Sequence, residues 1–285
     1  MNFSYLSLNK FKGSGVANIS KADNDTRLRQ LLENVSNEVD RHTRRHFYSV
    51  TQTRYFSGNG ETKLLLPGDL ISVTSLKEDA DRDGNYEVTW ATTDYELWPY
   101  DADPTGGLAV ARPYRGLEVN CRSNGTQDVF LRGQRQYELV GRWGYCQCTE
   151  DTETTINEGA EYSSSDTTLT VADGSAIDVG DTLLIESEQL YVKGKVTEDG
   201  NDLTVVRGAH GTTAAAHADS TAISRFIYPG PIVEATLMQA GRLWTRRIAG
   251  YAREIGFTET GQMQPVTGLD EDVKQMLRPY ISPLV

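Results

Sequence analysis

The hydrophobic period of this chain switches from helical to strand spacing and back, which limits the architectures open to it. In residues 25–46, Leu28, Leu31, Leu32, Val35 and Val39 recur at the spacing of one helix face, with Asp25 available as a cap. Residues 51–145 then break into short β-type runs: TQTRYFSG, KLLLPGD, ISVTSLKE, YEVTW, YELWP, LEVNC, DVFL and YELVGRWGY. Gly, Asn, Asp and Pro separate them. Residues 151–226 hold a second β block, with TTLTVAD, DTLLIESEQLYVKGKVTE and DLTVVRG as strand material. Helical spacing returns at 231–253 through Val233, Leu237, Ala240, Trp244 and Ile248, after Pro231. A last short helix starts at a cap, Asp270, runs through Val273, Met276 and Leu277, and stops at Pro279. No alternation of strands with helices occurs, which disfavours a doubly wound sheet. The order predicts an α+β chain: a small helical bundle with an antiparallel β region, plus an inserted all-β barrel or sandwich domain.

Charge supports the insertion. The 285 residues carry a net charge of -12, and residues 151–226 hold 14 acidic but only 4 basic side chains. Nearly all the excess acid therefore lies in one segment. The expected divisions are an N-terminal arm at 1–24, a helix plus β region at 25–150, the acidic β domain at 151–226, and C-terminal helices with an arm at 227–285. An acidic chain disfavours general nucleic-acid binding, which rests on neutralising phosphates. No apolar run reaches the roughly 18–20 residues a membrane helix needs. The first residues lack the apolar stretch of a secretion signal, so synthesis in a reducing cytoplasm is expected.

The chemical motifs are few. Asp79-Ala80-Asp81-Arg82-Asp83-Gly84 has the D-x-D-x-D-G spacing of half a calcium loop, with Glu87 as a further oxygen source. Its twelfth position, which should be a bidentate Glu, is Trp90, and the flanks read as strands. Asp79, Asp81 and Asp83 are therefore calcium candidates set against an Asx-rich surface turn. His210 and His217 flank a loop of small residues and read as exposed. Cys121, Cys146 and Cys148 are odd in number, which argues against a disulfide framework, and the C-x-C pair lacks further zinc ligands nearby. No G-x-S-x-G, P-loop or G-x-G-x-x-G is present. No catalytic residue is assigned, no cofactor beyond the calcium candidate is expected, and the chain reads as a non-enzyme. Two basic helix ends are contact candidates: Arg41, Arg44 and Arg45 after the first helix, and Arg246 and Arg247 late in the second.

Several of these stretches together resemble a known family. HFYSVTQTRYFSGNGETKLLLPGDLISVTSLKED, YELWPYDADPTGG and the closing run Tyr137–Tyr145 are similar to the head-tail connector (adaptor) proteins of tailed double-stranded DNA phages. So are the helix from Pro231 to Arg247 and the tail DEDVKQMLRPYISP. In relatives the closing strand leads directly to that helix; here some 80 residues intervene, which fits an inserted domain. The segments ADGSAIDVGDTLLIESEQLYV and VVRGAHGTTAAAHADST resemble a module that recurs in phage structural proteins.

The resemblance implies a structural virion protein at the head-tail junction, present in the host cytoplasm before assembly. It implies self-association into a ring, usually dodecameric, beneath the portal protein. A stopper or tail-completion protein would dock on the other side, and double-stranded DNA would pass through the lumen without sequence-specific binding. No membrane contact is expected. The alternative is a neck or fibre-associated binding module that uses the inserted β domain, for which Tyr162, Tyr191 and Phe226 are the available aromatic residues.

Overall fold

The computed structural model describes residues 3–15, 24–122, 125–196, 200–248 and 268–282. Among the described residues there are four α-helices: α1 (Leu8–Gly13), α2 (Asp25–Thr43), α3 (Gly230–Ile248) and α4 (Glu271–Leu277). Twelve strands make up most of the regular structure. Six form one antiparallel sheet: β1 (Val50–Gly58), β2 (Lys63–Glu78), β3 (Val88–Trp90), β4 (Tyr95–Trp98), β5 (Tyr114–Val119) and β6 (Gly133–Trp143). Six form the other: β7 (Thr149–Thr155), β8 (Thr168–Thr170), β9 (Thr182–Ile185), β10 (Glu188–Lys195), β11 (Asp202–Val206) and β12 (Ala222–Phe226).

This corrects the expected fold class. The chain is mostly β, not a helical bundle carrying a β insert, and no barrel closes. The helical stripes are real, but they yield only two long helices and two of less than two turns. The second sheet runs β7-β12-β9-β10-β11-β8. Its outer strands approach through a single bridge, Ile156 to Val171, too short for a ladder, so the sheet stays open.

The chain forms two compact units. One comprises residues 1–44, 150–209 and 213–281; the other comprises 45–149, 210–212 and 282–285. In the first, α2 and α3 bury their stripes together: Leu28, Leu32 and Val35 pack with Ala240 and Trp244, while Leu31 and Leu237 are partly buried. Gln239 bonds Glu38, and Arg247 lies beside Thr26 and Leu31, so the helices run antiparallel. Residues 3–15 join this core rather than remaining an unattached arm. Leu6, Leu8 and Phe11 are buried in it, and Tyr5 donates to Asp40 from its hydroxyl. The β block of the same unit meets this segment: the Leu8 amide bonds the Val179 carbonyl at 2.9 Å, and the Tyr191 hydroxyl bonds Glu33 at 2.8 Å. Its own core is aliphatic apart from Tyr162, with Leu169, Ile185, Leu190, Leu203 and Ile223 among the buried residues.

The second unit has an aromatic core. Trp90 stacks on Phe130 at 5.0 Å, and Tyr137 meets both edge-on. KLLLPGD and ISVTSLKE fuse into one strand, β2, whose register slips between Leu65 and Leu70. Pro67, which cannot donate to a ladder, sits in that slip. DVFL forms no strand, although its Phe130 is fully buried.

Candidate functional site

The acidic motif closes the turn from β2 to β3. Asp79 is mostly buried, and its two oxygens accept the amides of Asp83 at 3.1 Å and Gly84 at 2.9 Å. Asp81 accepts from Asp83, Asp83 accepts from Asn85, and Glu87 accepts from Ala80 at 2.8 Å. Arg82 and Gly84 take positive φ, which folds the chain around the carboxylates. Hydrogen bonds from Asn85 hold the Asp83 carboxyl below its ordinary range. One oxygen from each of Asp79, Asp81, Asp83 and Glu87 lies within 4.8 Å of the others. Such a set supplies part of the six to eight oxygens a calcium ion takes. Trp90 contributes none: it lies in the aromatic core, with Nε1 bonded to Glu78 at 2.9 Å.

The two histidines are not exposed, contrary to the sequence reading. His210 belongs to the second unit, where it stacks on Tyr48 at 4.4 Å; burial pushes its pKa down to about 4. His217 belongs to the first unit and is 1% exposed. Its Nδ1 lies 2.8 Å from Glu186 and its Nε2 lies 2.9 Å from Glu188. Glu188, with no exposed surface, also takes both prongs of the Arg207 guanidinium at 2.8 and 2.7 Å, plus the amides of Gly208 and Ala215. Burial alone would raise this carboxyl. The hydrogen bonds from Arg207, Ala215, Gly208 and His217 outweigh it and hold the pKa at about 2. The arrangement pins Gly208, Ala215 and His217 to the β9–β10 turn through one buried carboxylate. Sequence reasoning missed it because Glu188 lies 29 residues from His217 and no spacing links them.

The five candidate arginines are not brought together. Arg41 and Arg44 are exposed at the C-terminal end of α2, where Arg44 is the left-handed cap (φ 58). Arg246 and Arg247 end α3, and Arg247 lies over Trp244 at 4.5 Å. The helices are antiparallel, so these pairs sit at opposite ends of α2, about 27 Å apart at 1.5 Å per residue. Arg45 is largely buried and pairs with Asp69 at 3.3 Å. Burial raises the Asp69 carboxyl, and Arg45 draws it back. Arg45 is thereby committed inside its own unit. Of the helix expected at 231–253, residues 249–253 lie outside the described residues.

The aromatic residues available to a binding module are also spent. Tyr162, Tyr191 and Phe226 are all buried. Among the described residues no helix is long and apolar enough to cross a membrane. No known family model matches the chain, and no curated protein matches it.

Proposed function

We propose that this chain is a structural, non-catalytic adaptor of the head-tail junction of a tailed double-stranded DNA phage. In this reading copies of the chain form a ring, twelve in the family it resembles, between the portal and a stopper or tail-completion protein. DNA passes through the lumen, and the net charge of -12 disfavours its retention on the wall. Supporting the reading is the pairing of α2 with α3. These helices begin about 200 residues apart, α3 lies in a segment that resembles the adaptors and α2 leads into one, and they share one apolar core. Neither helix can bury its stripe alone, so the fold depends on that closure. The burial of Tyr162, Tyr191 and Phe226 removes the aromatic surface on which the neck or fibre module rested.

Gold-antibody labelling of particles from the source culture, viewed by electron microscopy, tests the proposal. Label at the head-tail junction supports it. Label along the tail or fibres, or no label on intact and disrupted particles alike, overturns it. For the portal contact, charge reversal belongs at Arg41 and Arg44. Reversal at Arg45 would also break its buried pair with Asp69 and confound folding with docking.

A further inference from the structure

Helix α2 sorts its polar side chains by face. Its four carboxylates all have partners within their own unit. Asp25 pairs with Lys12, and Asp40 accepts the Tyr5 hydroxyl. Glu33 accepts Arg29 at 2.6 Å and the Tyr191 hydroxyl at 2.8 Å, and Glu38 accepts the Gln239 carboxamide at 3.4 Å. The exposed side differs. Arg27, Gln30, Asn34 and Arg41 recur at helical spacing, so they form one stripe on the side away from Leu28, Leu32 and Val35. All four are exposed, and the stripe holds cations and carboxamides but no carboxylate. Among the described residues no carboxylate pairs with Arg41, and no hydrogen bond occupies the side chains of Gln30 and Asn34. Beside the N-terminal half of the stripe runs a groove of about 560 Å³, lined by Arg27, Gln30 and Asn34 from α2 and by Arg247 from α3. Arg247 is held there by its stack on Trp244 at 4.5 Å.

We propose that this stripe and groove receive an extended acidic segment of another protein. Arg27, Arg41 and Arg247 set the sign of the partner's charge. The carboxamides favour a peptide over a phosphate backbone. Each presents donor hydrogens and an acceptor oxygen. A peptide main chain answers both, whereas a phosphodiester only accepts. Gln30 and Asn34 are one turn apart, a rise of about 6 Å. An extended chain repeats the main-chain groups on one side at about 6.6–6.8 Å, which nearly matches. Arg27 and Arg41 are about 21 Å apart along the axis, a span that about six or seven extended residues cover. The surface stands independently of the adaptor reading; under that reading the segment belongs to the portal or stopper protein.

The test measures fluorescence anisotropy of a labelled heptaglutamate peptide with the full chain. At about 50 mM salt we expect a dissociation constant in the tens of micromolar, weakened about tenfold or more at about 0.5 M salt. A heptaglutamine peptide should bind about tenfold more weakly than the acidic one. Arg41→Glu and Arg247→Glu should each weaken the acidic peptide about fivefold or more. Gln30→Ala combined with Asn34→Ala should weaken it about threefold with no change of charge. Lys193→Glu changes the net charge as much as Arg41→Glu, but Lys193 is an exposed residue of β10 outside the stripe, so binding should hold. Equal losses in Arg41→Glu and Lys193→Glu would overturn the proposal, since they would show attraction to net charge alone. No binding at about 1 mM peptide would also overturn it. If Arg41→Glu then abolished self-association in sedimentation velocity, the face would belong to a second copy instead. A DNA duplex of about 20 base pairs that bound more tightly than the peptide, and lost affinity in the same variants, would replace the peptide with nucleic acid. Circular dichroism checks that each variant folds, and the wild-type comparison of the two peptides and the duplex decides even if one does not.

Discussion

Glu188 shows how much a single buried side chain can control at the residue scale. Its carboxylate answers Arg207, His217 and two amides, so Glu188→Gln leaves a largely buried guanidinium without its counter-charge. We expect a loss of about 3–5 kcal/mol in urea unfolding; a loss below about 1 kcal/mol would mean that the loop is held by other contacts. A second residue-scale prediction concerns acid. His210 has a folded pKa of about 4, below the ordinary value of 6.5, so the unfolded chain takes up a proton that the folded chain refuses. Stability therefore falls as pH drops from 6.5 towards 4. Glu188, at about 2 against 4.5, adds a loss as pH falls below 4.5. Asp181, raised to about 6 by burial, acts oppositely: its folded form holds the proton more tightly, so its contribution grows as pH falls from 6 to 3.8. His210→Gln should flatten the loss between 6.5 and 4 by up to about 1.4 kcal/mol per pH unit. Trp90, Trp98 and Trp143 share the unit of His210, so tryptophan fluorescence during urea titrations at each pH reads the relevant transition. An unchanged slope in the variant would reject this assignment.

Among the elements, the helices were the legible part. Apolar spacing marked α2 and α3, and Asp270 caps α4 by accepting the Asp272 amide, as its sequence position suggests. Two strands were not read from the sequence, one of them for a physical reason. TEDTETT forms β7 with Thr152 and Thr154 as its buried residues, and threonine packs in a strand without looking apolar, so an alternation count passes over it. The other, β12, is AISRF, with Ile223 and Phe226 buried. The end of α2 yields an element-scale prediction. Arg44 caps it in the left-handed region, where an L side chain costs about 1–2 kcal/mol and Gly does not. Arg44→Gly should hold or raise the melting temperature while removing an exposed charge. A clear fall would show that the Arg44 side chain contributes contacts within the fold.

For the whole molecule, the dominant quantity is charge. Each copy carries -12, so a ring of copies must gather like charge. If the chain assembles as proposed, raising salt from about 0.05 to about 0.5 M should screen that repulsion and increase the oligomeric fraction in sedimentation velocity. Dissociation on adding salt would instead point to an interface built on opposite charges. The acidic turn at Asp79–Glu87 was also legible as a motif, but only the fold brought its four carboxylates within reach of one another.

The sequence by itself determined the local properties: where the period is helical, where it alternates, where the acid concentrates, and which turns need Gly or Asp. These depend on neighbours within a few residues, so they can be read along the chain. Tertiary structure alone decided which segments share a core. It drew residues 3–15 onto α2, buried His210 and His217, committed Arg45 to Asp69, and separated the two basic helix ends. It also left both β regions as open sheets. Each outcome depends on groups tens of residues apart competing for the same buried space, and spacing along a chain carries no record of that competition.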